Sequence, residues 1–193
     1  ADVQGCNIRA IEKHVKLAKQ QAAGGIVGVN VMTALQHYAD HVQAAARAGA
    51  DLVVCGAGLP TDLPALVSGR DTAIAPIVSS RKAASLILRM WDKKYKRTDD
   101  LLVIEGPLAG GHLGFTPEQL KNIQALDFDR EIQAILEEKK LYEDKYGVSV
   151  PVVVGGGISG PSDIEHILSL GADGVQIATC FVATRECDTS PAY

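Results

Sequence analysis

The segment Glu105-Gly106-Pro107-Leu108-Ala109-Gly110-Gly111-His112-Leu113-Gly114-Phe115 sets one histidine among four glycines. Imidazole is the side chain that exchanges a proton near neutral pH, so His112 is a candidate general acid or base. Gly110 and Gly111 permit a sharp turn and a close approach of backbone to a flat ligand. The plainer reading is a histidine that only hydrogen-bonds its own loop. The functional reading is preferred because the segment follows the apolar strand Leu101–Ile104 and has a second feature beside it. That feature is the run Pro151-Val152-Val153-Val154-Gly155-Gly156-Gly157-Ile158, followed by Gly171-Ala172-Asp173-Gly174-Val175-Gln176-Ile177-Ala178-Thr179. A strand feeds a glycine turn, a short helix follows, and a second strand ends in small residues. Two neighbouring strand ends then offer bare backbone N–H groups to one point, which holds a phosphate without charged side chains. A phosphate held this way belongs to a cofactor, and the chain is expected to be an enzyme.

These loops need a scaffold, and strand-like and helix-like segments alternate along the whole chain. Strands are expected at Ile26–Met32, Leu52–Cys55, Thr72–Val78, Leu101–Ile104, Val150–Val154 and Val175–Ile177. Helices are expected at Tyr38–Ala48, Arg81–Tyr95, Asp129–Tyr146 and Pro161–Leu170, with Glu137, Glu138, Lys139 and Lys140 on the wet side of the third. Six short, nearly continuous apolar strands suit a parallel sheet covered by helices on both faces. Thr116-Pro117-Glu118-Gln119 reads as a capping box with proline at the first helical position. Gly171 follows a helix end as a left-handed cap should.

A weak repeat links Arg47-Ala48-Gly49-Ala50-Asp51-Leu52-Val53 with Ser169-Leu170-Gly171-Ala172-Asp173-Gly174-Val175. Each copy ends a helix on glycine and enters a strand through Ala-Asp. That unit is common in (β/α)8 barrels, although an open doubly wound sheet shows it too; the barrel is the expectation. In a barrel the chemistry lies at the C-terminal strand ends, so Asp51 and Asp173, leading into strands, read as structural. Ser79 and Ser80 end a strand on the catalytic side, where a ligand contact and a helix N-cap are both open readings. Gly56-Ala57-Gly58 is open in the same way between close ligand approach and turn geometry. His37 and His41 are four apart on a helix but have no third ligand at a telling spacing, so they read as a surface pair. Asp99-Asp100 reads as a turn, and Lys93, Lys94, Lys96 and Arg97 as a solvated helix end.

The bulk properties set wide limits. The 193 residues suffice for a single domain, 47% are hydrophobic, and the net charge of -4 argues against nucleic acid as a partner. No apolar stretch approaches the roughly 18 to 20 residues of a membrane helix. No basic region followed by an apolar one opens the chain, so no export signal is expected. Cys6, Cys55, Cys180 and Cys187 form no metal or disulfide framework; Cys55 and Cys180 are expected as buried thiols in a cytoplasmic protein.

The segment 105–114 resembles the AGGHxG signature of the nitronate monooxygenases, formerly 2-nitropropane dioxygenases. Residues 151–158 resemble the family's phosphate loop. Gly174-Val175-Gln176-Ile177-Ala178-Thr179-Cys180-Phe181-Val182-Ala183-Thr184-Arg185-Glu186 is similar to a later family segment, and Gly28-Val29-Asn30-Val31-Met32 to an early strand. The resemblance covers essentially the whole chain. It implies a single FMN-binding (β/α)8 barrel domain over residues 1–193. Asn30, Glu105 and Gly110 would line the flavin, Gly156, Gly157, Gln176, Ile177, Ala178 and Thr179 would hold its phosphate end, and His112 would be the base or substrate-orienting residue. No metal is implied. The implied reaction oxidises an alkyl nitronate with O2, releasing nitrite and a carbonyl compound.

Departures from the family pattern shape the alternatives. Ala178 replaces a usual glycine and Cys180 a common arginine. Glu105 stands where many nitronate monooxygenases have glutamine and a related NADH-dependent flavin enoyl-acyl-carrier-protein reductase has glutamate. The chain also corresponds to strands three to eight of the family barrel, lacking the first two strands and the C-terminal region. Six strands cannot close that barrel, so association of copies through an open edge is plausible. A non-catalytic barrel fragment that binds a phosphate compound is the third reading.

Overall fold

In the computed structural model, which describes residues 2–187 and 190, six parallel strands alternate with helices. The strands are β1 (Gly28–Met32), β2 (Leu52–Gly56), β3 (Ala73–Val78), β4 (Leu102–Glu105), β5 (Val152–Gly155) and β6 (Gly174–Gln176). They lie side by side in chain order with no reversal. A doubly wound sheet reverses its strand order at a switch point, so this winding is that of a half-barrel.

The helices are α1 (Val3–Gln21), α2 (Tyr38–Arg47), α3 (Leu63–Leu66), α4 (Arg81–Tyr95), α5 (Pro117–Lys121), α6 (Phe128–Tyr146), α7 (Pro161–Ser169) and α8 (Thr179–Val182). Local chemistry sets their ends. Ser80 accepts from the Ala83 amide to start α4, and Lys96 closes it in the left-handed conformation. Thr116 and Gln119 form the expected capping box of α5, and Gly171, at φ 102, turns the chain after α7. The sequence reading overlooked α1 because its apolar positions are sparse, with only Val15 buried.

One hydrophobic core joins alternate strand residues (Val53, Cys55, Ile74, Leu102, Ile104, Val152, Val154) to Val42, Ile87, Leu88, Trp91, Ile132 and Ile135 of the helices. The expectation of helices on both sheet faces is therefore corrected. Helices cover one face, and the other is the concave inner wall, where Val54, Ile77 and Val153 stay half-buried. Side chains alternate across a strand, so Asn30, Glu105 and Gln176 share that inner wall with them. Two further expectations fail. Glu138 is buried against α4, where it accepts from Arg81 Nε at 3.3 Å, and Lys139 donates to the Val150 carbonyl at 2.7 Å, so neither is on a wet side. Cys180 is exposed because it follows the edge strand β6, whereas Cys55 is buried as expected.

The repeat has three copies. Asp51, Asp100 and Asp173 each accept, through a carboxylate oxygen, the amide of Val27, Ile74 and Val152, at 2.7, 2.8 and 2.8 Å. Each also donates its own amide to the same residue's carbonyl, at 2.9, 3.0 and 2.8 Å. The aspartates thus lock each strand's entry to the strand before it, which confirms the structural reading of Asp51 and Asp173. The preceding residue is buried in all three copies, as Ala50, Asp99 and Ala172. Thr98 Oγ1 donates to one Asp99 oxygen at 2.7 Å, while the other oxygen has no hydrogen-bond partner among the described residues, and burial pushes this carboxyl up to about 6.

Candidate functional site

The loops after β4, β5 and β6 meet at the C-terminal end of the sheet. The Gly106 amide donates to the Gly155 carbonyl at 2.8 Å, tying the first loop to the second. Gly156 and Gly157 have φ of 104 and 79, in the region that favours glycine. A Cβ on Gly156 would fall 2.9 Å from the Ala109 amide nitrogen, and one on Gly157 would fall 2.8 Å from the Leu108 side chain. The glycines therefore serve loop-on-loop packing as well as any ligand, and Leu108 and Ala109 form a wall that sequence reasoning did not anticipate. Its signal in the sequence was their place between Gly106-Pro107 and Gly110-Gly111.

Below that wall is a cleft of about 370 Å³ lined by Glu105, Gly110, Gly156, Gly157, Gln176, Ile177, Ala178 and Thr179. These are eight of the nine expected cofactor residues, brought together from three strand ends. The amides of Gly157, Ile158, Ala178 and Thr179 donate to no backbone carbonyl among the described residues. Amides converging on a cleft without partners suit a phosphate. Asp163 limits where it can sit: it accepts from the amides of Ser159 and Gly160 at 2.8 and 3.0 Å, so the N-terminus of α7 is already capped. Those hydrogen bonds hold Asp163 below the usual carboxylate range.

His112 lies in a neighbouring cavity of about 300 Å³, with Ser79, Ser80, Glu105, Ile77 and Leu59. Glu105, on the inner wall at the end of β4, lines both spaces. Burial raises its carboxyl above the ordinary range. The loop carrying His112 is pinned from behind, where Phe115 packs edge-on against Phe128 with ring centroids 6.2 Å apart. Across the cavity, Ala57 takes φ 54, and the Thr33 hydroxyl donates to the carbonyls of Gly56 and Ala57 at 2.9 and 2.8 Å. Such local strain is characteristic of binding sites. Asn30 shares the inner wall but is exposed on β1 and lines neither space.

Residues 6–193 match a family model described as nitronate monooxygenase. A probable nitronate monooxygenase of Bacillus subtilis (strain 168) is 30% identical over 99 residues, covering 51% of this chain and 25% of that protein. Two solved structures share the fold. FabK from Thermotoga maritima has a TM-score of 0.69 at 23% identity, over 93% of this chain and 50% of its own. Nitroalkane oxidase from Streptomyces ansochromogenes has a TM-score of 0.70 at 20% identity, over 95% of this chain and 58% of its own. The match thus spans a quarter of the curated relative, and the chain covers 50% and 58% of the two structures.

Proposed function

The chain belongs to the nitronate monooxygenase family, and from that premise we propose that it is the larger part of an FMN-dependent (β/α)8 barrel that oxidises alkyl nitronates with O2 to a carbonyl compound and nitrite. β1 to β6 are read as strands three to eight. The strand order and the one-sided helix layer support this, and so does the length of the relatives.

One observation carries the reading: a cleft ringed by unpartnered amides adjoins the cavity of His112, with Glu105 between them. The residues present fit FMN. Gly157, Ala178 and Thr179 would bind its phosphate, and Glu105 and Gly110 would border its ring. Bound FMN supplies the electron acceptor. The remaining tasks fall to the protein's own groups. The apolar side chains of Ile77 and Leu59 form the walls against which a short alkyl group packs. His112 takes the α-proton of a neutral nitroalkane, or donates a hydrogen bond to the oxygen of a nitronate.

Glu105 favours a second reading, an NADH-dependent flavin enoyl reductase. The two separate in one experiment on the full-length protein loaded with FMN. Anaerobic ethylnitronate bleaches the visible flavin bands if the first reading holds. Rapid bleaching by NADH with indifference to nitronate supports the second, and a colourless protein at saturating FMN overturns both. His112→Ala is expected to lower turnover of neutral nitroethane by about 10² to 10⁴-fold and of ethylnitronate much less. Unchanged nitroethane turnover would remove His112 from the base role.

A further inference from the structure

Ser79 is the group in the His112 cavity that no structural duty explains. It is 9% exposed at the end of β3, and its hydroxyl enters no hydrogen bond among the described residues. The hydroxyl oxygen itself is open to the cavity that Ser79 lines, where a ligand group or an ordered water can pair with it. The helix-capping duty that this pair of serines could perform belongs to Ser80, whose Oγ accepts from the Ala83 amide at 3.2 Å.

The catalytic loop is shaped around that hydroxyl. A Cβ on Gly114, two residues after His112, would fall 2.7 Å from Ser79 Oγ. Glycine at 114 therefore lets the loop close over Ser79 without displacing it, and both residues line the cavity that holds His112. Apart from Ser79, Ser80, Glu105 and His112, that cavity is lined by glycine and apolar residues. We propose that Ser79 is a second substrate-contacting donor, its hydroxyl binding one oxygen of a nitro or nitronate group while His112 faces the carbon or the other oxygen. A planar group with two oxygens can meet both side chains at once. The short alkyl remainder lies against Ile77, Leu59 and Leu113.

The proposal rests on the nitronate reading above, and its test separates the two. Full-length, FMN-loaded wild type, Ser79→Ala and Ser79→Cys are mixed anaerobically with ethylnitronate, and half-saturating concentration, limiting rate of flavin reduction and FMN content are read separately. Loss of one hydrogen bond is expected to raise the half-saturating concentration about tenfold in Ser79→Ala at unchanged FMN content. Ser79→Cys keeps the side chain's size with a weak donor, so it reads the same loss if the alanine variant folds poorly. Equal half-saturation in wild type and variants overturns the role of Ser79 while the flavin reading stands. A wild type that holds FMN and is not reduced by nitronate overturns both.

Discussion

At the N-terminal ends of the strands, Asp51, Asp100 and Asp173 each exchange two hydrogen bonds with the strand before. At the C-terminal ends, the amides of Gly157, Ile158, Ala178 and Thr179 find no backbone partner among the described residues. The same chain leaves polar groups unpaired at one end of its sheet and pairs them reciprocally at the other. Unpaired groups cost stability, so they persist where a ligand can satisfy them. The contrast agrees with the proposed function, which puts binding at the unpaired end and leaves the paired end to stability.

Asp99 is the exception at the locked end, and it offers the largest test. Its folded-state carboxyl, raised to about 6 by burial, compares with an ordinary value of 3.8. A raised carboxyl stabilises the fold fully below its unfolded value, and that contribution is lost as pH rises through the folded one. Two units correspond to about 3 kcal/mol. In urea denaturation of the full-length protein, Asp99→Asn is expected to gain on the wild type by about that amount between pH 4 and pH 7. Parallel pH curves would show that Asp99 is not the source.

At the open end, Gly157→Ala places a Cβ at φ 79 and within 2.8 Å of Leu108. A cost of about 2 kcal/mol is expected, shared between the fold and the cleft. FMN affinity should drop several-fold to tenfold, as titration of apoprotein would show. Unchanged affinity would mean that the turn contributes nothing to phosphate binding. The smallest effect calibrates both. Ser80→Ala removes the α4 cap and should cost about 1 kcal/mol in thermal unfolding.

Much of this was legible in the residues. Apolar runs located all six strands, and α4 came out as Arg81–Tyr95 because serine precedes it and its apolar spacing is regular. The cleft was legible because glycine and small residues follow two adjacent strands. The burial of one sheet face against a barrel interior was not, since an apolar run looks the same whether it meets helices or an inner wall. The third aspartate lock was hidden because Thr98-Asp99 replaces the Gly-Ala of its sister copies. The burial of Glu138 and Lys139 was hidden too: letters for charge do not reveal that Glu138 pairs with Arg81, or that Lys139 pairs with Glu143 and donates to the Val150 carbonyl. Ser79 could be placed at a strand end, but the serine pair alone does not tell which hydroxyl caps α4, a bond the structure gives to Ser80.

Because the strands pair in chain order, most contacts between neighbours join residues 21 to 26 positions apart, whereas Leu102 meets Val152 across 50. The histidine-bearing excursion is thus the longest detour in the assembly of the sheet. Its added closure entropy is only about 0.6 kcal/mol, but ordering that many residues delays the contact. The pairing of β4 with β5 is therefore expected to be the last join to form during refolding, and pulsed amide exchange that protects this pair together with the others would refute it.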